Sequence, residues 1–261
     1  MEQAFRPAHL FDTVMKQKGK IRIGTSGWSY GHWKGSFYPE DISNVQMLPF
    51  YFQRLSTVEI NSSFYRLPLK KTFENWRACS PDKFIFAVKA SRYITHVKKL
   101  TDSVQAVERF FEHASGLGEK IGPVLFQLPS SLRIDPERLG VFLRLLPVSR
   151  RYTFEFRSSS WFHPQIYSLL SDFGAAFCIY ELGELISPLQ VTADFVYIRL
   201  HGPEGKYQGR YSREQLRSWY ERFEKWTAQS LDVFCYFDND QNGYAALNAL
   251  ELQELFTCAE E

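Results

Sequence analysis

The sequence predicts an α/β protein built as a single (β/α)8 TIM-type barrel, and three observations lead to this fold class. The length of 261 residues suits one barrel domain of about 250 residues. Eight short segments of strand composition alternate with helical segments along the chain. Neither an internal repeat nor a linker rich in Gly, Ser or Pro divides it. Eight consecutive β/α units in one domain favour a closed barrel over an open doubly wound sheet.

The predicted elements follow one another in regular order. Runs rich in β-branched and aromatic residues predict strands over 21–24, 57–60, 84–88, 124–127, 152–156, 175–179, 195–200 and 233–237. Helical spacing predicts helices over 47–55, 72–79, 102–117, 136–146, 164–173, 212–230 and 244–256. The connection after the sixth strand is short and barely helical, so we expect the barrel to be irregular around its sixth helix.

Two helix starts have recognisable capping signals. Asp135 precedes Pro136, which combines an acceptor at the N-cap with a proline at the first helical position. Ser212 and Gln215 have the spacing of a capping box. Both signals indicate structure and carry no chemistry.

The start of the chain and the cysteines predict the cellular location of the protein. Residues 1–20 are polar and lack a clear period, so we expect an N-terminal arm before a barrel domain at 21–261. The start of the chain does not resemble a signal peptide, and no apolar run reaches the 18 residues of a membrane span. The four cysteines are far apart and predict reduced thiols. We therefore expect a cytoplasmic protein with no membrane partner.

Charge and composition restrict the kinds of ligand. There are 31 Lys and Arg against 29 Asp and Glu, a net charge of +2, which gives no global attraction to nucleic acid or an anionic membrane. Any anion site must be local. The aromatic content of 16% suits clefts lined by rings.

Charged side chains collect at the carboxyl ends of the predicted strands, where barrel enzymes have their active sites. The period of two places Glu59 beside Asn61 on the second strand and Glu155 beside Arg157 on the fifth. The seventh strand places Tyr197, Arg199 and His201 on one side. Further polar residues at strand ends are Lys89, Gln127, Asp238 and Asn239. Two interpretations stay open: a structural ion-pair network filling the barrel mouth, or a catalytic constellation.

Two loops and a metal site are weaker candidates. The turn after the first strand, with Ser26, Trp28 and Tyr30, could bind an anion through backbone N–H groups or could be only a tight turn. Segment 89–99, which includes His96, could contact phosphate or could be a solvated loop.

Glu155, His201 and Asp238 are residues of the types that bind metal ions. No HxH or HExxH pattern occurs, so no metal site is predicted, although weak Mg²⁺ binding stays open. We interpret His9, His32, His113 and His163 as ordinary surface or structural residues.

An ordered series of motifs resembles the YecE-like family, a bacterial and archaeal family also called domain of unknown function 72. Its segments are 23–30 (IGTSGWSY), 33–39 (WKGSFYP), 58–65 (VEINSSFY), 86–89 (FAVK), 122–129 (GPVLFQLP), 155–157 (EFR), 199–202 (RLHG) and 236–240 (YFDND). The resemblance covers about 21–255 and implies a TIM-type barrel without implying an activity. By fold the family is similar to sugar isomerases and to the endonuclease IV group.

The chain departs from relatives of this family at several positions. Glu181 stands where many relatives carry an aspartate after the sixth strand, and it either takes over that role or leaves it unfilled. Relatives with Asn at the position of Asp238 lack that acid. The many strand-end histidines of the endonuclease group are absent from the sequence.

The leading hypothesis is an enzyme that performs acid–base chemistry on a small anionic or polyhydroxylated substrate, either a sugar or a phosphate. Glu155 and Glu59 would be the acid–base pair, and His201 would shuttle a proton or bind a metal. Lys89, Arg157 and Arg199 would hold negative charge. The remaining binding candidates are Ser26, Trp28, Tyr30, Asn61, Tyr65, His96, Gln127, Trp161, Tyr211 and Asn239.

Two other functions stay open, a nucleic-acid binding or processing protein and a ligand-binding module without catalysis. The sequence requires no cofactor and predicts no oligomeric state.

Overall fold

The structure, a computed structural model, describes residues 17–257. Eight parallel strands form a nearly closed barrel, and a ninth short strand pairs outside it. The strands are β1 (Ile21–Thr25), β2 (Thr57–Ile60), β3 (Ile85–Lys89), β4 (Ile121–Leu128), β5 (Tyr152–Phe156), β6 (Ala176–Leu182), β7 (Leu185–Ile186), β8 (Phe195–Leu200) and β9 (Asp232–Phe237). Their order is β1-β9-β8-β6-β5-β4-β3-β2, with β7 antiparallel to β6. The predicted (β/α)8 barrel is confirmed.

Helices cover the outside of the barrel. They are α1 (Asn44–Phe52), α2 (Ser62–Tyr65), α3 (Lys70–Cys79), α4 (Val104–Ala114), α5 (Pro136–Arg144), α6 (Pro164–Asp172), α7 (Arg213–Ala228) and α8 (Tyr244–Thr257). The predicted caps are present: the Asp135 side chain accepts from Arg138 N, and Ser212 and Gln215 form their capping box.

Two core layers follow from the alternation of side chains along each strand. The outer layer packs strands against helices and includes Val58, Phe86, Phe154 and Ile198. The inner layer fills the lower part of the barrel with Ala87, Leu125, Ala176, Cys178, Phe195, Tyr197, Phe234 and Tyr236. Above this apolar layer the same inward-facing positions carry the charged residues described below.

The barrel closes where β1 approaches β2. The residue after β1, Ser26, forms a parallel bridge with Glu59, and Gly27 N donates to Glu59 O at 2.8 Å. A Cβ at Gly24 would lie 2.2 Å from Thr57 O, so the approach requires glycine at this position.

The sixth unit is irregular, as expected. Residues 183–194, all within the described part of the chain, contain no helix, and β6 turns back into the short β7. Ser187 Oγ then accepts from Tyr180 N, and Thr192 Oγ1 accepts from Phe177 N, both within hydrogen-bond distance of β6. Side-chain hydroxyls therefore take over backbone contacts along this strand.

Several predicted boundaries were wrong. Helix α1 begins at Asn44 rather than 47, because Ser43 and Gln46 form a capping box that the prediction overlooked. The helix predicted over 102–117 ends at Ala114, and a 3-10 turn over Ser115–Lys120 follows, with Gly118 at a φ of 56°. The short α2 and the π-helical turn at Tyr93–Val97 were not predicted.

Only the last residues of the predicted arm are described. Lys18 forms an ion pair with Glu224 on α7, and Lys20 N donates to Asp232. Residues 1–16, including His9, and Cys258 lie outside the described residues, so the arm and its relation to the mouth stay a prediction. Cys79, Cys178 and Cys235 are free thiols. Between residues 17 and 257, no helix is long and apolar enough to cross a membrane.

Candidate active site

Arg199 on β8 is the centre of a buried charge network at the carboxyl end of the barrel. Its Nε and Nη2 donate to the two oxygens of Glu59 at 3.0 and 2.8 Å. Its Nη1 donates to Glu155 at 2.8 Å, and Nη2 also reaches Asp238 at 3.0 Å. One guanidinium thus bridges carboxylates from β2, β5 and the residue after β9, the geometry in which Arg binds carboxylates best.

Both oxygens of Glu59 are engaged. Tyr197 OH donates to Oε2 at 2.7 Å, and Ser26 Oγ donates a short hydrogen bond to Oε1. Asn61 Nδ2 in turn donates to Ser26 Oγ at 2.7 Å. With Glu59 fully buried, its carboxylate is held in one orientation by its neighbours.

Arg157, His201 and Asp238 form the second part of the network. Arg157 pairs with Glu155 through Nε and donates from Nη2 to His201 Nε2 at 2.8 Å. His201 Nδ1 lies 2.9 Å from Asp238 Oδ2. Because a guanidinium cannot accept a hydrogen bond, these partners assign the imidazole proton to Nδ1, which donates to Asp238.

The guanidiniums keep the buried acids ionised. Burial acts to raise the pKa of Glu155, but Arg157 and Arg199 outweigh it and hold that pKa well below its ordinary value. Burial acts likewise on Asp238, and Arg199 together with the hydrogen bond from His201 lowers its pKa. Three carboxylates therefore face two guanidiniums and the nearby Lys89.

A cavity of about 560 Å³ opens above this network. Its lining combines a cation, acids, amides and aromatic side chains from several loops: Tyr30, His32, Asn61, Tyr65, Lys89, Tyr207, Asp238, Asp240, Gln241 and Asn242. Such a mixture of rings and convergent polar groups is typical of a small-molecule site.

Lys89 is the cation of this cavity. It ends β3, is 7% exposed and lies over the Phe64 ring with Nζ 4.4 Å from the ring centroid. Burial, with the nearby charge of Arg199, lowers the pKa of Lys89 to about 8. An amine whose pKa lies near the pH of the solution can both accept and donate a proton.

The cavity brings together four of the predicted site residues, Tyr30, Asn61, Tyr65 and Lys89. The predicted residues Glu59, Glu155, Arg157, Arg199, His201 and Ser26 lie in the charge network at its floor. Gln127 sits beside Glu155 in the β4–β5 register. His96 packs on Phe64 and contacts Thr95, next to the cavity.

Four predicted binding residues lie away from the cavity. Trp28 packs edge-on against Trp76, and buried Trp161 stacks on Phe156 and donates to Leu132 O. Tyr211 OH accepts from Gly202 N. Asn239 Nδ2 donates to Gly209 O and Asn248. These contacts are structural.

Residues of the cavity that the sequence interpretation missed come from loops. His32, interpreted as an ordinary surface residue, lies 3.1 Å from Asp240 Oδ2 at the rim. Burial raises the pKa of Asp240, although Trp33 Nε1 donates to it at 2.5 Å. The acid-rich run from Asp238 to Asp240 after the last strand was the sequence signal that could have identified Asp240 as a residue of the cavity rim.

Glu181 does not join the site. Its Oε2 accepts from Trp219 Nε1 of α7 at 2.8 Å, on the outer face of β6. The inward position beside it is Tyr180, whose ring lies 5.1 Å from the guanidinium carbon of Arg157.

The possible metal ligands are occupied by cations of the protein. Glu155, His201 and Asp238 do lie together, but their lone pairs face Arg157 and Arg199. Among residues 17–257, no group of three or more His, Cys, Asp or Glu side chains could hold a metal ion.

Fold and site together define a class: a (β/α)8 barrel with an open polar cavity above a buried ion-pair network at the carboxyl ends of its strands. The chain belongs to the family described as "Protein of unknown function DUF72", whose model matches residues 22–261. It is 27% identical to the UPF0759 protein YunF of Bacillus subtilis (strain 168), over 90% of this chain and 94% of that protein.

Solved structures of the same family have the same fold. A DUF72 family protein of Thermotoga maritima MSB8 is 28% identical, with a TM-score of 0.81, over 91% of this chain and 99% of that one. One of Enterococcus faecalis V583 has a TM-score of 0.80 at 19% identity, over 91% and 95%. The resemblance on sequence motifs is thereby confirmed.

Proposed function

We propose that this protein is an enzyme that performs acid–base chemistry on a small polyhydroxylated or anionic substrate, of the sugar or sugar-phosphate class. The observation that carries the proposal is that Lys89 and Asp238 line one open cavity above a buried charge network. Free thiols at the described cysteines support a cytoplasmic location for it.

The lining supports a neutral or singly charged sugar better than a highly charged anion. Asp238 and Asp240 would repel a second phosphate group but can accept hydrogen bonds from hydroxyls. Asn61 can donate to a hydroxyl, and Tyr30, Tyr65 and Tyr207 offer ring surface. Lys89 can hold one anionic group.

The roles differ with position. Lys89 accepts or donates a proton, and Asp238 orients a substrate hydroxyl. Glu59 and Glu155 are positioning residues because their oxygens are engaged by Arg199. General acid–base catalysis by a positioned group contributes about 10²–10⁴-fold in rate, so loss of one such group is measurable.

The test is exchange of substrate protons with solvent. Aldoses, ketoses and their monophosphates are incubated with the protein in D2O, and loss of C–H signals is followed by proton NMR. We expect exchange in at least one compound and a rate at least tenfold lower in Asp238→Asn, with exposed Asp82→Asn as the control. No exchange with any compound, or equal rates in both variants, would overturn the proposal.

The nucleic-acid alternative has an observation of its own. Arg92 and Lys99 are exposed in the segment after β3, and the exposed ring of Tyr93 lies 5.9 Å from Lys98 Nζ. Such a surface can track phosphates and stack a base. Binding of short DNA or RNA that weakens steeply with salt would favour this function, and a salt-insensitive response would not.

A further inference from the structure

We propose that Lys89 is a nucleophile that forms an imine with the carbonyl group of an open-chain aldose, ketose or 2-oxo acid. The inference rests on the proposed function and deepens it, because it names the reacting atom and requires a carbonyl substrate. Two lysines are buried within residues 17–257, Lys89 and Lys120, and their surroundings show why only Lys89 is suited to this chemistry.

Lys120 is a satisfied buried lysine. It is 6% exposed, and its Nζ donates to Arg77 O, Ser80 O and Ser80 Oγ at 2.9, 2.7 and 3.0 Å. Each of the three ammonium hydrogens therefore has an acceptor. This lysine is structural.

Lys89 is as buried as Lys120 but lacks such partners. Among the described residues, no acceptor makes a hydrogen bond with its Nζ, and no carboxylate oxygen lies within 4.0 Å. The carboxylates of Glu59, Glu155 and Asp238 are turned toward Arg199, Arg157 and His201 instead. The amine therefore faces the cavity and the Phe64 ring.

The backbone that carries Lys89 is fixed. Ser63 Oγ donates to Lys89 O at 2.6 Å, and the next residue, Ala90, donates from N to Leu125 O at 2.8 Å. A nucleophile on a rigid strand end is held in position for a substrate in the cavity.

The free amine is available at physiological pH. With a pKa of about 8, about a quarter of the Lys89 side chains are neutral at pH 7.5, against roughly one in a thousand for an ordinary lysine. Desolvated lysines of this type are the ones that form imines with carbonyl compounds.

The reaction balances without any further reagent. The Nζ lone pair adds to the carbonyl carbon, and a proton moves from nitrogen to the former carbonyl oxygen. The resulting carbinolamine loses its hydroxyl as water when an acid protonates it, which leaves a C=N bond. Asp240 lines the same cavity, and burial raises its pKa, so it can supply that proton.

The experiment traps the imine by reduction. The full-length protein is mixed briefly with glyceraldehyde, dihydroxyacetone or pyruvate and sodium cyanoborohydride, then digested and mapped by mass spectrometry. We expect one reduced adduct, on Lys89, formed at least tenfold faster than on exposed Lys99 or buried Lys120 in the same sample. The rate should rise with pH around a midpoint near 8.

Variants and outcomes complete the test. Lys89→Arg should lose the adduct, whereas the matched surface variant Lys99→Arg should keep it. The peptide map of the unaltered protein needs no variant, so misfolding of Lys89→Arg does not affect it. Adducts at Lys89 no faster than at Lys99 would overturn the inference. If substrate protons exchange with solvent but no adduct is trapped, the proposed function is supported and the imine at Lys89 is overturned. If the adduct is trapped but no exchange occurs, the imine is supported and the proposed acid–base function is overturned.

Discussion

Arg199 and Glu59 form a bidentate ion pair inside the barrel, with Nε and Nη2 lying 3.0 and 2.8 Å from the two carboxylate oxygens. Both side chains are fully buried. The pair connects β8 with β2, which are separated by β9 and β1 when counted around the barrel across its closure. It therefore holds the barrel mouth together at the floor of the cavity.

Arg199→Lys should destabilise the protein strongly. Lys cannot make the two parallel hydrogen bonds, and removing one partner of a buried ion pair costs about 3–5 kcal/mol. Urea unfolding followed by circular dichroism measures the change. Arg77→Lys, which alters an exposed pair with Glu119, is the control. Equal effects of the two substitutions would contradict the assigned role of the network.

Glu155→Gln should make the stability less sensitive to acid. The folded-state pKa of Glu155 is depressed, so its ionised form contributes stability above the ordinary value of 4.5. That contribution is lost as the pH falls through the folded-state pKa. Unfolding free energies measured from pH 6 downward should fall more steeply in the unaltered protein than in the variant. The exposed Glu214→Gln should behave like the unaltered protein.

Lys89→Met should stabilise the protein near neutral pH. The pKa of Lys89 falls from 10.5 to about 8 on folding, so the buried charge costs stability below pH 8, on the order of 3 kcal/mol. The cost disappears as the pH rises from 8 to 10.5, because the unfolded chain binds the extra proton there. The difference in unfolding free energy between variant and unaltered protein should therefore shrink over this range. A constant difference would argue against the depressed pKa.

Trp161→Phe should affect stability and leave the cavity unchanged. The substitution leaves the Leu132 carbonyl without its donor and opens a void beside Phe156, for a cost of about 1–3 kcal/mol. Reductive trapping at Lys89 should proceed at the normal rate. Tyr65→Ala should leave the stability unchanged, because Tyr65 is 78% exposed. It should slow the trapping at Lys89, because Tyr65 lines the cavity. Slower trapping in Trp161→Phe would instead place that indole in the site.

Gly24→Ala should disturb barrel closure. The added Cβ would lie 2.2 Å from Thr57 O, so β1 and β2 must separate, at a cost of about 1–3 kcal/mol or more. Gly31→Ala is the matched control, since a Cβ there meets nothing within 4 Å. Thermal unfolding of the two variants gives the comparison, and equal midpoints would show that the strands can adjust.

The alternation of side chains along each strand was sufficient to place the charge network. Glu59, Glu155, Arg199 and His201 were predicted to collect at the carboxyl ends of the strands, and the period of two placed each of them with its polar neighbour on one side of its strand. Their pairing partners did not follow, because the alternation does not say which carboxylate each guanidinium meets: Arg199 was expected to hold negative charge of a substrate, and it pairs with Glu59 and Glu155 instead. The fold was predictable because each strand and helix has its own hydrophobic period.

Loop residues could not be placed in this way. His32 and Asp240 meet because two loops fold toward each other, and Tyr207 and Asn242 take positive φ angles of 65° and 55°. No periodicity encodes such conformations. Trp161 was predicted as a binding residue, but the 3-10 turn at Ser159–Trp161 directs its ring into the outer core.

The pairing of β1 with β9 also determines when the barrel can close. Ile21 pairs with Val233, so the first strand to leave the ribosome must wait for the last strand of the barrel. Asp238, which completes the partners of Arg199, emerges later still. Contacts of such long sequence separation form slowly. A nascent chain that ends before β9 would leave the edges of β1 and β8 unpaired and Arg199 without its third carboxylate, so barrel closure waits for this strand.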